Sequence, residues 1–179
     1  MITKVFVRFA LLAGVLAGLA CFAYFYVLKI NDAMPLGTRR NLGMVFVWIA
    51  MAVAAYRYWK VSDRSLHFLE VFLLCLTVML VASAVDGLLV SAYVKYIEPG
   101  LIPEYIAQLK VLALRDQASI QKEFGNKGNA GLIDFETFLK QIDQISPESI
   151  FWSTFGIFRM IFHVLYAALI GVWVRKMSL

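Results

Sequence analysis

The stretch Leu66–Tyr96 reads LHFLEVFLLCLTVMLVASAVDGLLVSAYVKY and is the third of four long apolar runs in the chain. It is long enough to cross a hydrocarbon core of about 30 Å with some tilt. Unlike the other runs, it contains two acidic residues, Glu70 and Asp86. A carboxylate in hydrocarbon is costly, so each must be held by a partner. We therefore look in the rest of the chain for the helices that pack around this one and for the side chains that pair with its two carboxylates.

The four apolar runs cover about residues 5–28, 42–58, 66–96 and 150–174. The 179-residue chain is 61% hydrophobic, with a mean hydropathy of +0.75, whereas soluble domains average roughly 45–50% apolar residues. Its net charge of +5 comes from basic residues beside the apolar runs, which is typical of membrane topology signals rather than of nucleic-acid binding. The sequence predicts an all-α, multi-pass protein with four transmembrane helices in a single membrane domain.

The first run could also be a signal peptide, because Leu19-Ala20-Cys21 resembles a lipoprotein cleavage site. The run, however, is longer than a signal core of about 7–15 residues, and it stays apolar after Cys21. We therefore predict an uncleaved helix. Cys21 and Cys75 both lie inside apolar runs, where a free cysteine behaves as a small buried hydrophobe, and they form no metal or disulfide pattern.

Small residues recur at four-residue spacing on the first and third runs. Such a stripe lets another helix approach closely, although glycine and alanine are also common in membrane helices without this role. The stripes predicted to pack consist of Ala10, Gly14 and Gly18, and of Ser83, Gly87 and Ser91.

Between the third and fourth runs, residues 97–149 form a polar insert. Loose helical periodicity over 103–124, a glycine-rich hinge at 125–131 and an amphipathic pattern over 134–145 predict a helical hairpin. Its apolar faces would pack on each other or lie on the bilayer surface.

Residues 126–137 resemble a calcium-binding loop, but the positions that need oxygen ligands carry residues such as Gly128 and Ala130, so no metal site is predicted. The chain contains no nucleophile elbow, zinc spacing, phosphate-binding loop or dinucleotide fingerprint. We therefore expect no cofactor, and enzyme activity has no positive support.

Charge asymmetry predicts the orientation. An even number of crossings puts both termini on one side, together with Lys4, Arg8, Arg57, Lys60, Arg64, Arg175 and Lys176 against the single acid Asp63. The positive-inside rule places that side in the cytoplasm and the 97–149 insert outside. Arg39 and Arg40, on the opposite side, count against this assignment without outweighing it.

Helix geometry places Asp86 and Arg159 at similar depth in the outer half of the membrane, each about 13 Å from the outer end of its run. Neither could stay charged in lipid alone, so we predict that they pair on facing helices. His163 lies one turn beyond Arg159 on the same face. The three residues form either a polar track for a proton or a substrate, or a structural ion pair with a separately satisfied histidine.

Glu70 lies one turn from the cytoplasmic end of the third run. Arg8, Arg57 and Arg64 fall at similar depth, and we predict interfacial ion pairing between Glu70 and these arginines.

The layout resembles the uncharacterised bacterial membrane-protein family called domain of unknown function 4199. The resemblance rests on Tyr56-Arg57 near the end of the second run, on Ser65-Leu66-His67-Phe68 leading into the third, and on the proline-marked segment from Ile97 to Tyr105. It covers nearly the full length of the chain. It implies the four-span fold and an inner-membrane location, and it brings no activity.

Together these features predict a small inner-membrane protein that acts as an accessory or scaffold subunit of a membrane complex, with the external hairpin as its docking surface. The alternative is a small transporter or lipid-linked carrier that uses Asp86, Arg159 and His163. Expected partners are membrane lipids and other membrane proteins or further copies of the chain, and not nucleic acid.

Overall fold

The computed structural model describes residues 4–62, 66–117 and 135–177, and all regular secondary structure in these ranges is helical. Hydrocarbon offers backbone groups no hydrogen-bond partners, so apolar runs of this length fold as helices. The helices are α1 (Lys4–Ile30), α2 (Met44–Val61), α3 (Phe68–Ala92), α4 (Leu101–Arg115), α5 (Phe135–Asp143), α6 (Pro147–Ser153) and α7 (Ile157–Met177). A 3₁₀ helix (Thr38–Gly43) leads into α2, and a π-helical turn (Tyr93–Ile97) follows α3.

Four helical segments are long and apolar enough to cross a membrane, which confirms the all-α fold with four spans. They cover Lys4–Ile30, Thr38–Val61, Phe68–Ile97 and Pro147–Met177. Each span ends one to three residues beyond its apolar run, and each begins one to four residues before it except the third, which begins at Phe68 rather than at Leu66. The chain is thus built as a multi-pass membrane protein.

The larger of two compact units contains residues 1–90 and 151–179. Its core is formed by the facing sides of α1, α2, α3 and α7, with fully buried side chains such as Met51, Leu74 and Val78. The opposite sides of the same helices expose large apolar residues, for example Leu16 at 65% and Leu169 at 66%. Exposed apolar faces of this kind suit contact with lipid.

The small residues on α1 lie directly against α3. A Cβ atom on Gly14 would be 2.6 Å from Cβ of Val81, and one on Gly18 would be 2.6 Å from Cβ of Val85. Ala10 in the same stripe is fully buried. The backbones of α1 and α3 therefore approach closely at this stripe.

The stripe on α3 continues this pattern. Ser83 is buried, and a Cβ atom on Gly87 would be 2.8 Å from Oγ1 of Thr154. The Ser91 hydroxyl donates a hydrogen bond to the carbonyl of Pro147, at 2.9 Å.

The fourth span is interrupted, although the sequence predicted a continuous run over 150–174. Helix α6 ends at Ser153 and α7 begins at Ile157, with a turn at 154–156 between them. Thr154 is 1% exposed, and its hydroxyl lies 2.7 Å from the Phe151 carbonyl and 3.2 Å from the Ser83 carbonyl. The single hydroxyl hydrogen is shared between these two carbonyls, with the shorter contact to Phe151 at the break. Side-chain hydroxyls of this kind help to satisfy backbone groups where a membrane helix is interrupted.

The second compact unit contains residues 91–150, including α4 and α5. Nζ of Lys110 on α4 lies 2.6 Å from Oδ1 and 2.8 Å from Oδ2 of Asp143 on α5. The hinge predicted at 125–131 lies outside the described residues, as does most of the calcium-loop-like stretch. The hairpin connection itself therefore stays a prediction.

Candidate functional site

Asp86 lies on α3 inside the larger unit, with its side chain 3% exposed. Nη2 of Arg40 donates a hydrogen bond of 2.8 Å to Oδ2 of Asp86. The 3₁₀ helix between α1 and α2 carries Arg40 into the interior, where its guanidinium carbon also lies 6.0 Å from the centre of the Phe25 ring. A short charge-assisted bond of this kind is the strong form of ion pair.

Arg159 lies in the first turn of α7 and approaches the same carboxylate. Its Nη1 is 3.9 Å from Oδ2 of Asp86, and its side chain is 13% exposed. The structure therefore brings the predicted pair together, at a distance too long for a hydrogen bond. Nε of Arg159 is buried and has no hydrogen-bond partner in the part of the chain that the structure describes.

His163 lies one turn after Arg159 on α7 and is 1% exposed. The indole Nε1 of Trp48 donates to Nδ1 of His163 at 3.1 Å, while the Trp48 ring stacks on Tyr166 at 5.1 Å between centres. Because an indole N–H can only donate, Nδ1 must be the unprotonated nitrogen, and the neutral ring carries its proton on Nε2. That Nε2 is buried without a hydrogen-bond partner among the described residues.

The cluster of Arg40, Asp86, Arg159 and His163 holds two guanidiniums against one carboxylate. With His163 neutral, the net charge of the cluster is +1. Oδ1 of Asp86 is also buried without a partner in the described ranges, so three polar atoms of this cluster lack hydrogen bonds. Buried polar groups are normally satisfied, which makes this cluster the strongest candidate site in the described residues.

Glu70 lies outside this cluster and contacts a tyrosine rather than one of the predicted arginines. The hydroxyl of Tyr58, at the end of α2, donates a 2.6 Å hydrogen bond to Oε1 of Glu70. Within the described residues no ion pair joins Glu70 to Arg8 or Arg57, and Arg64 lies outside those residues. The carboxylate is instead held by a tyrosine, which itself packs edge-on against Phe6.

Two members of the site, Arg40 and Trp48, were missed by sequence reasoning. Arg40 was counted as a loop charge because turn residues precede it, although its conflict with the charge rule was itself a signal. Trp48 carried no signal, since a tryptophan in a span is ordinary.

Outside this cluster, the described cysteine, histidine and acidic side chains form no metal-binding group. Cys21 and Cys75 are both free and buried, and the Cys21 thiol donates to the carbonyl of Gly43 at 3.2 Å. Across residues 4–62, 66–117 and 135–177, no group of three or more histidine, cysteine or acidic side chains is placed to hold a metal ion.

Comparison with known proteins identifies one family model, described as Protein of unknown function (DUF4199), which matches residues 9–176. The match covers nearly the whole chain, including every residue of the cluster. No curated protein and no solved structure matches this chain.

Proposed function

This chain belongs to the family described as Protein of unknown function (DUF4199), and we propose that it is a non-enzymatic accessory or scaffold subunit of a membrane complex. The observation that carries the proposal is the buried Arg40–Asp86 pair at 2.8 Å. It ties α3 to the connection between α1 and α2, with Arg159 of α7 at 3.9 Å from the same oxygen. A buried pair of this kind fixes the register of neighbouring helices.

A bundle fixed in this way offers a defined surface to a partner. An apolar groove of about 400 Å³ lies between α1 and α2 and faces outward. Alanines make up much of its lining, which consists of Phe9, Leu12, Ala13, Leu16, Ala17, Ala20, Phe46, Ile49, Ala50, Val53, Ala54 and Arg57. Both helices belong to membrane spans, and small side chains admit a second helix closely. The partner is therefore a transmembrane helix of another membrane protein.

Site-specific photocrosslinking in native membranes tests this role. A crosslinking side chain at Leu16, which lines the groove and is 65% exposed, should give a discrete adduct with one membrane protein that also co-purifies in mild detergent. The matched control is Leu169, which is 66% exposed on α7 and does not line the groove. Adducts with lipid alone at both positions, or an adduct between two copies of this chain, would contradict the accessory role.

The same proposal places the chain in the inner membrane of a bacterium, with both termini in the cytoplasm and residues 97–149 outside. The charge asymmetry around the spans supports this orientation. Arg39 and Arg40 count against it, and Arg40 is 8% exposed and paired with Asp86 in the folded chain.

A second candidate is a small transporter or lipid-linked carrier that uses Asp86, Arg159 and His163. The three buried atoms without hydrogen-bond partners favour it, because a fully structural cluster would satisfy them. A carrier requires the cluster to exchange a ligand, whereas a scaffold requires it only to hold the bundle.

A further inference from the structure

The beginning of α7 lies inside the fourth span rather than at its end. The span covers Pro147–Met177, and the turn at 154–156 opens a new helix N-terminus within it. The first backbone N–H groups of a helix have no acceptors within that helix, and the helix dipole places partial positive charge there. Discontinuous membrane helices use such half-helix N-termini to face anionic groups.

Arg159, in the first turn of this half-helix, supplies a full positive charge at the same place. Its side chain is 13% exposed and forms no hydrogen bond with the described residues, and its contact with Asp86 is a long 3.9 Å. A guanidinium carries five N–H donors in a planar fork that matches phosphate or carboxylate oxygens. The buried Nε–H of Arg159 has no hydrogen-bond partner in the described ranges, and leaving such a donor unmet in a membrane interior is costly, so an additional anionic acceptor would stabilise it.

His163 adds a second, oriented donor. It lies four residues after Arg159, on the same face of α7, and Trp48 fixes its tautomer so that Nε2 carries the proton. This side chain is 99% buried, with Nε2 unpartnered among the described residues. The cluster therefore has a net charge of +1 and contains two buried N–H donors without acceptors among the described residues, one on Arg159 and one on His163.

Oδ1 of Asp86, the third unpartnered atom, is an acceptor. A ligand that uses this acceptor together with the two donors must be an anion that carries a hydroxyl hydrogen of its own. Inorganic phosphate keeps such a hydrogen near neutral pH, and a phosphate monoester, whose second pKa is about 6, has one in its singly charged form. Chloride, a carboxylate, sulfate and a phosphodiester have none.

We propose that Arg159, His163 and Asp86 form a binding site, inside the four-span bundle, for a phosphate group that retains one hydroxyl. The arginine and histidine N–H groups donate to its oxygens, and Asp86 Oδ1 accepts from its hydroxyl. Arg40, through its 2.8 Å hydrogen bond, holds the Asp86 carboxylate in place. The group is either free phosphate or the headgroup of a lipid phosphomonoester. The site does not depend on the accessory role, since all of its side chains belong to this chain.

The test measures binding to the purified full-length protein in phosphatidylcholine nanodiscs, without a partner protein. Radiolabelled inorganic phosphate tests the free ion, with unlabelled sulfate as competitor, and native mass spectrometry after incubation with phosphatidic acid tests the lipid headgroup. We expect one of these to bind, and Arg159→Gln and His163→Phe each to weaken it by about tenfold to a hundredfold, the cost of lost hydrogen bonds to a charged group. The matched control is Arg115→Gln, which changes an arginine that is 76% exposed on α4.

The outcomes separate the sources of the phosphate group. Binding of inorganic phosphate that sulfate competes for only weakly supports the free ion. Retention of phosphatidic acid that Arg159→Gln abolishes supports the lipid headgroup. Failure of both probes on protein that unfolds cooperatively, or equal affinity for sulfate and phosphate, would overturn the proposal. If Arg159→Gln does not fold, His163→Phe keeps the test decisive on protein that still unfolds cooperatively, because it removes the Nε2 donor and preserves a ring of similar size, although it also removes the acceptor of the Trp48 indole N–H.

Discussion

Asp86 is the residue on which the balance of buried charge depends. It is the only described acid within the cluster, and two guanidiniums approach its Oδ2 atom, at 2.8 Å for Arg40 and 3.9 Å for Arg159. The shorter contact is a hydrogen-bonded ion pair, and the longer one is a Coulombic contact only. The two arginines are therefore unequal, and their removal should have unequal consequences.

Asp86→Asn should lower the free energy of unfolding most, by about 3–5 kcal/mol, because it leaves two buried cations without a counter-charge. Arg40→Gln should cost about 2 kcal/mol, from the loss of one charge-assisted hydrogen bond. Arg159→Gln should cost less than either, because the balanced Arg40–Asp86 pair remains. The measurement is thermal unfolding in zwitterionic detergent and phosphate-free buffer.

The order of these effects distinguishes the observed pairing from the simpler one that the sequence predicts. If Asp86 and Arg159 were the structural pair, Arg159→Gln would be at least as damaging as Arg40→Gln. If all three variants were as stable as the unsubstituted protein, the cluster would not hold the bundle together.

Depth along the helices was enough to predict that Asp86 and Arg159 lie close together. It could not predict Arg40, because the approach of Arg40 depends on how the Thr38–Gly43 turn folds back, which no periodicity encodes. The Trp48–His163 bond was equally hidden, since the sequence gives the faces of helices but not which faces meet.

Close contact between α1 and α3 depends on the absence of side chains at two positions. A Cβ atom at Gly14 would be 2.6 Å from Cβ of Val81 and 3.0 Å from the carbonyl oxygen of Val78, so one helix would have to move. Four-residue spacing revealed that α1 has a small face. It did not reveal that α3 is the helix that this face meets.

Gly14→Ala should therefore lower the free energy of unfolding by about 1–3 kcal/mol, the cost of overpacking a close helix contact. The matched control is Gly43→Ala, where an added Cβ would meet its nearest neighbour, Cδ1 of Tyr24, at an ordinary 3.7 Å. Its φ of −57° is compatible with alanine, so Gly43→Ala should be neutral or slightly stabilising. Thermal unfolding in detergent measures both, and equal melting temperatures would contradict a tight α1–α3 contact.

The interruption of the fourth span is an element-scale feature that hydropathy does not detect. A break of one turn at 154–156 leaves the average apolar character of the span unchanged, and glycine is common in membrane helices. Yet this break determines that Arg159 stands at a helix N-terminus rather than in a helix interior. The candidate anion site therefore follows from a local departure from regular helix, not from composition.

At the scale of the whole molecule, composition and run length were enough to predict the four spans, because lipid leaves an apolar chain few other folds. The division into residues 1–90 with 151–179, and 91–150, follows the same change from apolar to polar sequence. Orientation depends on charge rather than on fold. Arg40 is paired with Asp86 in the folded chain, but the charge rule counts basic residues in the sequence, so the orientation stays a prediction from charge.

Cysteine accessibility in intact cells tests this orientation directly. Gln108→Cys on α4 should react with a membrane-impermeant maleimide from outside, whereas Lys60→Cys at the end of α2 should react only after permeabilisation. The native Cys21 and Cys75 are both buried, so their background labelling should be low. The reverse pattern would place the termini outside, and labelling of both sites in intact cells would indicate two orientations. Either result would mean that the excess of basic residues at the ends of the spans does not determine the topology of this chain.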